Sequence, residues 1–278
     1  MSEYLVPRLH VKMKAHQPIV SITAYDYFTA LLASAADVDF VLVGDSLGNV
    51  VQGSATTIGV TLEQVIYHTR IVCRHFPSER VLIDMPFGTF KLDARETVEN
   101  CVRAFKDSGC GGVKFEGATA DNLIAVRNLA EAGVPVLGHI GLLPQRVYSE
   151  GGYRMQGKTP QQAEQIRQDA QALQRSGAIG VVLECVVPDV AARITEELAI
   201  PTIGIGSGAA CDGQIIVMHD ILGMLPGQAP SFARRYAELY ATSAQAVADY
   251  ASDVRERKFP QETVAAPVKA QQRVYGAG

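Results

Sequence analysis

Phe40-Val41-Leu42-Val43-Gly44-Asp45-Ser46 is an unbroken apolar run that stops on a glycine, a carboxylate and a hydroxyl. A parallel strand buried on both faces reads this way, and its C-terminal end is where such folds place their chemistry. Val81-Leu82-Ile83-Asp84 and Gly112-Val113-Lys114-Phe115-Glu116 copy the plan. Working outward, Ile19 to Thr23 reads as the first strand, Val134 to His139 as the fifth, Gly180 to Glu184 as the sixth, Pro201 to Gly206 as the seventh and Ile215 to His219 as a short eighth.

Between these runs lie helix patterns at 27–36, 61–75, 93–108, 121–132, 160–176 and 188–198, with a closing helix at 231–250. Thr61 is placed to cap its helix, and Pro160 suits a first helical turn. Residues 7–17 form a short basic helix or arm whose charges are expected on a solvated face. The glycines of 141–159 suit a mobile active-site loop.

The expected fold is therefore α/β: a single-domain (β/α)8 TIM barrel over residues 1–254 with an N-terminal arm. Residues 255–278 lack apolar periodicity and are expected as an extended or disordered tail. A doubly wound open sheet shares the same periodicity. The strand count near eight, and side chains of chemical interest ending at least four strands, favour closure.

Composition narrows the function. The 278 residues are 47% hydrophobic and 19% charged, with a net charge of −4 and no long basic run, so neither nucleic acid nor an anionic membrane is an expected partner. Five scattered cysteines without a CxxC pair read as thiols of a reducing compartment. No leader-like segment or membrane-spanning apolar run is evident, and a cytoplasmic location is expected.

Strand parity sharpens the candidate site. Lys114 and Glu116 point one way while Val113 and Phe115 point the other, and Asp45, Asp84 and Glu184 stand at strand ends facing the barrel mouth. Any one such acid serves equally well as a helix cap or turn residue. Four acids converging without a cation would crowd like charges, so a hard divalent ion such as Mg²⁺, taking one or two carboxylates, is expected among them. His139 is the histidine best placed to face the site, whereas Cys185, following Glu184, is expected to point away. Gly204 to Gly208 fits tight packing at the rim better than a phosphate cradle.

The blocks Thr23-Ala24-Tyr25-Asp26, Leu42 to Gly48, Val113 to Gly117, Gly138 to Gly141, Gly151-Gly152-Tyr153, Leu183 to Val186, Gly204 to Gly208 and Asp212-Gly213-Gln214 together resemble the ketopantoate hydroxymethyltransferase family. The resemblance implies a barrel of the phosphoenolpyruvate/pyruvate type. It implies transfer of a hydroxymethyl group from 5,10-methylenetetrahydrofolate to 3-methyl-2-oxobutanoate through a Mg²⁺-stabilised enolate, giving 2-dehydropantoate for pantothenate biosynthesis. Carried over by position, Asp45, Asp84 and Glu116 surround the metal, Asp45, Ser46, Asp84 and Lys114 hold the substrate, and Glu184 is the base. The folate-contacting residues are not implied. A homo-oligomer, commonly a decamer, is.

Ser54 stands where the family pattern has histidine and Leu143 where it has threonine, both in loops expected over the mouth. A related Mg²⁺-dependent oxoacid lyase or mutase is the nearest alternative, but such enzymes often use a loop cysteine, and none lies between Gly141 and Lys158. A non-catalytic metabolite-binding barrel would leave the four acids and Lys114 without a purpose.

Overall fold

Side chains that satisfy the first backbone N–H groups of a helix decide where the helices begin. The computed structural model describes residues 3–91 and 93–260, and within them Asp26, Thr61, Asp93, Thr119 and Thr159 each accept a hydrogen bond from the third residue onward. A cap of this kind stabilises its helix by about 1 kcal/mol. The helices are α1 (Leu5–Lys14), α2 (Tyr27–Ala35), α3 (Leu47–Val50), α4 (Leu62–Cys73), α5 (Ala94–Ser108), α6 (Ala120–Glu131), α7 (Val147–Glu150), α8 (Pro160–Arg175), α9 (Pro188–Glu197), α10 (Met218–Leu222) and α11 (Leu239–Arg255).

The strands are β1 (Ile19–Thr23), β2 (Phe40–Val43), β3 (Val81–Asp84), β4 (Gly112–Glu116), β5 (Val136–Gly141), β6 (Gly180–Glu184), β7 (Thr202–Ile205) and β8 (Gly213–Ile216). All neighbours are parallel, and β8 pairs with β1 to close the barrel. The expected closed sheet is confirmed over the open one. The second strand ends at Val43, three residues short of the expectation, because Gly44 turns the chain and places Asp45 and Ser46 in the following turn. The closing helix runs 239–255 instead of 231–250.

Alternation along the strands divides the apolar residues into two cores. Val41, Val43, Val81, Ile83, Val113, Phe115, Val181 and Leu183 pack outward against the helices. Phe40, Leu42, Leu82, Leu137, Val182, Ile203 and Ile215 fill the barrel interior, where Leu5 and Leu9 of α1 join them. The arm is thus a plug for the N-terminal end of the barrel. Fully burying two leucines is worth roughly 1.5–3 kcal/mol each.

The charges of that arm are not a solvated face. Arg8 Nε donates to Asp39 Oδ1 at 2.8 Å, Lys12 Nζ to Oδ2 at 2.5 Å, and the Val20 backbone N–H to Oδ2 at 2.8 Å. The expectation failed because the partner, Asp39, lies in a turn far along the chain and is itself buried. Of the expected tail at 255–278, Arg255 closes α11 and residues 261–278 lie outside the described residues.

Removing one member of a buried ion pair strands the other, at a cost of about 3–5 kcal/mol. Asp39→Asn should therefore destabilise the protein by about 3 kcal/mol, read as a lowered urea midpoint at fixed protein concentration. An unchanged midpoint would show that α1 is held by its leucines alone.

Candidate active site

The register of the barrel assembles the site. Asp84 is paired with Lys114 across β3 and β4, and Glu116 with His139 across β4 and β5. All four face the interior on the C-terminal side of the apolar core, with Glu184 at the end of β6. They line a cavity of about 690 Å³ that also takes in Asp45, Ser46 and Tyr153. Each residue singled out from the sequence as catalytic, substrate-binding or metal-binding is brought to this one mouth.

Lys114 Nζ donates to both oxygens of Asp84 at 2.8 Å. Burial works against the ammonium, but Asp84, Glu116 and Asp45 outweigh it and hold the amine above its ordinary range. Burial pushes the Asp84 carboxyl up, to about 7, against the pull of Lys114. Asp45 Oδ2 accepts from Gln145 Nε2 at 2.9 Å, and the Asp45 backbone N–H donates to Asp84 Oδ2 at 3.2 Å. Gly44 permits this turn: a Cβ there would lie 2.8 Å from Ser46 Oγ.

Glu116 is the least satisfied group of the site. Both its oxygens are buried without a hydrogen-bond partner, and Lys91 Nζ stands 3.8 Å away. Burial pushes this carboxyl well above its usual range, only partly offset by Lys114. Next to it, His139 Nε2 is 3.2 Å from Glu184 Oε2, and Nδ1 is 3.9 Å from Glu116 Oε1. Neither ring nitrogen makes a well-formed hydrogen bond. Burial, reinforced by Lys114, holds His139 well below its ordinary range, so the imidazole is neutral.

Ser46 is oriented from behind. Its Oγ lies 2.7 Å from the hydroxyl of the fully buried Tyr25, which also hydrogen-bonds Thr23, and Thr23 Oγ1 accepts from the Met218 backbone N–H at 3.2 Å. Each of these hydroxyls can both donate and accept, so the contacts fix the position of the Ser46 hydroxyl at the cavity wall without fixing which oxygen donates. Sequence reasoning assigned no role to Tyr25 or Gln145, although both lie in or beside the blocks that carried the resemblance. Each follows a strand or loop end, where period-2 parity no longer predicts direction.

Cys185 corrects the parity argument itself. It lines the cavity beside Glu184, because its backbone turns to φ 49° and abandons the extended conformation on which alternation depends. Gly141 shows the same tight rim: with φ 94°, it brings β5 so close to β6 that a Cβ would lie 2.4 Å from the Glu184 carbonyl oxygen. Leu143 is buried beside Gly117 and Ser54 is exposed; neither lines the cavity itself, although their neighbours Leu142, Pro144 and Ala55 do.

The ketopantoate hydroxymethyltransferase family model matches residues 4–262. The chain belongs to the ketopantoate hydroxymethyltransferase family. Relatives named 3-methyl-2-oxobutanoate hydroxymethyltransferase share this hydroxymethyltransferase's length. The one from Pyrococcus abyssi is 46% identical over 256 residues, spanning 92% of this chain and 90% of the relative. That of a Geobacillus species is 47% identical over 253 residues, spanning 91% and 90%.

Solved structures show that the fold is shared more widely. Phosphonopyruvate hydrolase, in complex with oxalate and Mg²⁺, superposes with a TM-score of 0.60 at 10% identity, covering 96% of this chain and 91% of that one. The 2,3-dimethylmalate lyase, a member of the PEP mutase/isocitrate lyase superfamily, gives 0.56 at 16% identity, with 98% and 92% covered. The likeness is one of fold, a closed eight-stranded parallel barrel.

Within the hydroxymethyltransferase site, Glu184 is, like Asp84, a carboxyl raised toward neutral pH, but it makes no ion pair with Lys114. Burial raises it to about 7, with Lys114 pulling the other way. Infrared difference spectra of wild type against Glu184→Gln should show one carboxylate band that grows as pH rises through about 7. A midpoint near the ordinary glutamate value would show that the cavity does not desolvate this group.

Proposed function

We propose that this chain makes 2-dehydropantoate from 3-methyl-2-oxobutanoate and 5,10-methylenetetrahydrofolate in pantothenate biosynthesis. The observation that carries the reading is Glu184, a desolvated carboxyl facing a cavity whose opposite wall is the Asp45, Asp84 and Lys114 cluster. The printed names of the 46–47% identical relatives support the same substrate. The lyase or mutase alternative is not favoured by the family match.

Mg²⁺ is the proposed metal, and the donor set fits it. Among the described residues no three histidine, cysteine or acidic side chains form a ready-made cage. Mg²⁺ does not require one, because it keeps several waters and takes one or two protein carboxylates alongside substrate oxygens. The buried, unpartnered oxygens of Glu116 beside Asp45 and Asp84 mark a shortage of positive charge where the ion would sit. We assign Asp45, Asp84 and Glu116 to it, directly or through water. Bound there, the ion would act as a Lewis acid on the oxoacid carbonyl.

The side chains supply the remaining chemistry. Ser46, aligned by Tyr25, donates to the substrate carboxylate. Lys114 has three donors, of which two engage Asp84, and the third is available to the same carboxylate. Asp45 and Asp84 border this position. Glu184, ionised, takes the proton from C3, and C3 forms a bond to the one-carbon unit of the folate; the carbon–nitrogen bonds to the folate break, water supplies the hydroxyl, and tetrahydrofolate leaves. Residues 1–254 serve as one catalytic domain with its N-terminal arm.

A cytoplasmic location and a homo-oligomer belong to the same reading. Among the described residues no helix is long and apolar enough to cross a membrane. The helix α11 buries none of its side chains and exposes Tyr240, Val247, Tyr250 and Val254, a face that a neighbouring copy would cover.

Two predictions test the assignment. With Mg²⁺ but no folate, wild-type protein should exchange the C3 proton of 3-methyl-2-oxobutanoate for solvent deuterium, followed by NMR, at a rate that rises with pH through about 7 as Glu184 ionises. Glu184→Gln should slow exchange at least ~100-fold; undiminished exchange in that variant would remove Glu184 as the base. Separately, Asp84→Ala should weaken Mg²⁺ binding about tenfold by calorimetry. Equal affinity would mean that Asp84 serves only to hold Lys114.

A further inference from the structure

The cavity is larger than the oxoacid needs. At the ~30 Å³ that water occupies per heavy atom in the liquid, the eight heavy atoms of 3-methyl-2-oxobutanoate fill about a third of 690 Å³. The remainder extends from Glu184 across the ends of β7 and β8, where Ile205, Ile215 and Val217 form an apolar wall. Phe232 overhangs it, its ring so close to Gly206 that a Cβ there would lie 2.8 Å from Cδ1. At the far side of this wall stands Asp220, on α10.

Asp220 is a half-buried carboxylate facing the cavity to which the described residues supply no hydrogen-bond donor. The nearest charge acting on it is Arg235, whose guanidinium is engaged by Glu238 at 3.0 Å and by the Gly227 carbonyl. Burial pushes the Asp220 carboxyl up despite Arg235, the signature of an acceptor short of donors. It lies on α10, which follows β8, and shares the cavity with Glu184 at the end of β6.

We propose that Asp220 anchors the pterin ring of the folate co-substrate, accepting from its N3–H and 2-amino group while the ring lies between Phe232 and the wall of Ile205, Ile215 and Val217. This rests on the function proposed above. A carboxylate is the side chain suited to the task, since its two oxygens face two parallel N–H donors in a fork. The apolar wall and the aromatic ring bury the two faces of the heterocycle. The anchor also explains how one mouth serves two substrates: the metal-binding acids and Lys114 take the oxoacid, and the β7–β8 side takes the one-carbon donor.

The test separates the two halves of the site. KM for 5,10-methylenetetrahydrofolate and deuterium exchange of the oxoacid without folate are measured with Mg²⁺ on wild type, Asp220→Asn and Phe232→Ala. Expected are a folate KM raised at least tenfold in Asp220→Asn and several-fold in Phe232→Ala, with oxoacid exchange within twofold of wild type in both. A tetrahydrofolate analogue carrying methyl in place of the 2-amino group should lose less affinity by calorimetry between wild type and Asp220→Asn than tetrahydrofolate itself does, because only the N3–H contact remains to be lost. An unchanged folate KM in Asp220→Asn, or its loss of exchange together with folate affinity, overturns the anchor. If Asp220→Asn yields no folded protein, an unchanged folate KM in Phe232→Ala overturns it instead. Wild type that neither exchanges the oxoacid proton nor binds tetrahydrofolate would defeat the proposed function itself, an outcome distinct from failure of the anchor alone.

Discussion

Lys114 is the fixed positive charge at the centre of the polar end of this barrel, and the arrangement of acids there follows from it. Its ammonium is held 2.8 Å from each oxygen of Asp84, and Asp45 and Glu116 add to the field that keeps it charged. One lysine cannot balance three buried carboxylates. The residual strain shows in Glu116, whose oxygens find no donor, and in the upward push on both Asp84 and Glu116. The cation proposed above would relieve this crowding of like charges.

Such a cluster survives only because the opposite end of the barrel is made secure by other means. Leu5 and Leu9 seal the interior, and Asp39 ties the plugging helix to the first strand through Arg8, Lys12 and the Val20 amide. The inward-facing positions therefore divide by depth: apolar from Phe40, Leu82 and Val182 downward, polar from Asp84, Lys114 and Glu184 upward. Stability is supplied at one end and chemistry at the other, the usual division of labour in this fold.

Most of this was legible in the sequence because period-2 alternation and acids at strand ends are local signals. Lys114, Glu116, Asp84 and Glu184 were placed on the right face by parity alone. The failures share one cause, the loss of extended geometry or the intervention of a distant partner. Cys185 faces the cavity because its φ turns positive, and Asp45 and Ser46 reach the mouth from a turn rather than from a strand end. Arg8 and Lys12 look solvated until Asp39, far along the chain, is brought beneath them. Tyr25 and Gln145 act through contacts that no local pattern encodes.

The placement of His139 shows how the proposed base, Glu184, stands apart from the other acids. Asp84, Glu116, His139 and Glu184 occupy consecutive strands β3 to β6, so neighbouring carboxylates on Glu116 and Glu184 would raise one another's pKa if they met directly. A neutral imidazole lies between them instead, 3.9 Å from one and 3.2 Å from the other. Because burial keeps that ring uncharged, it separates the two acids without forming an ion pair with either. Glu184 is then tuned chiefly by its own desolvation, which raises it to about 7, with Lys114 across the cavity pulling it down. A charged histidine at this position would pull Glu184 down and weaken it as a base, and a second carboxylate would push it up until it was protonated at neutral pH. The neutral spacer permits one mouth to hold a dense cluster of carboxyls and the proposed proton acceptor side by side.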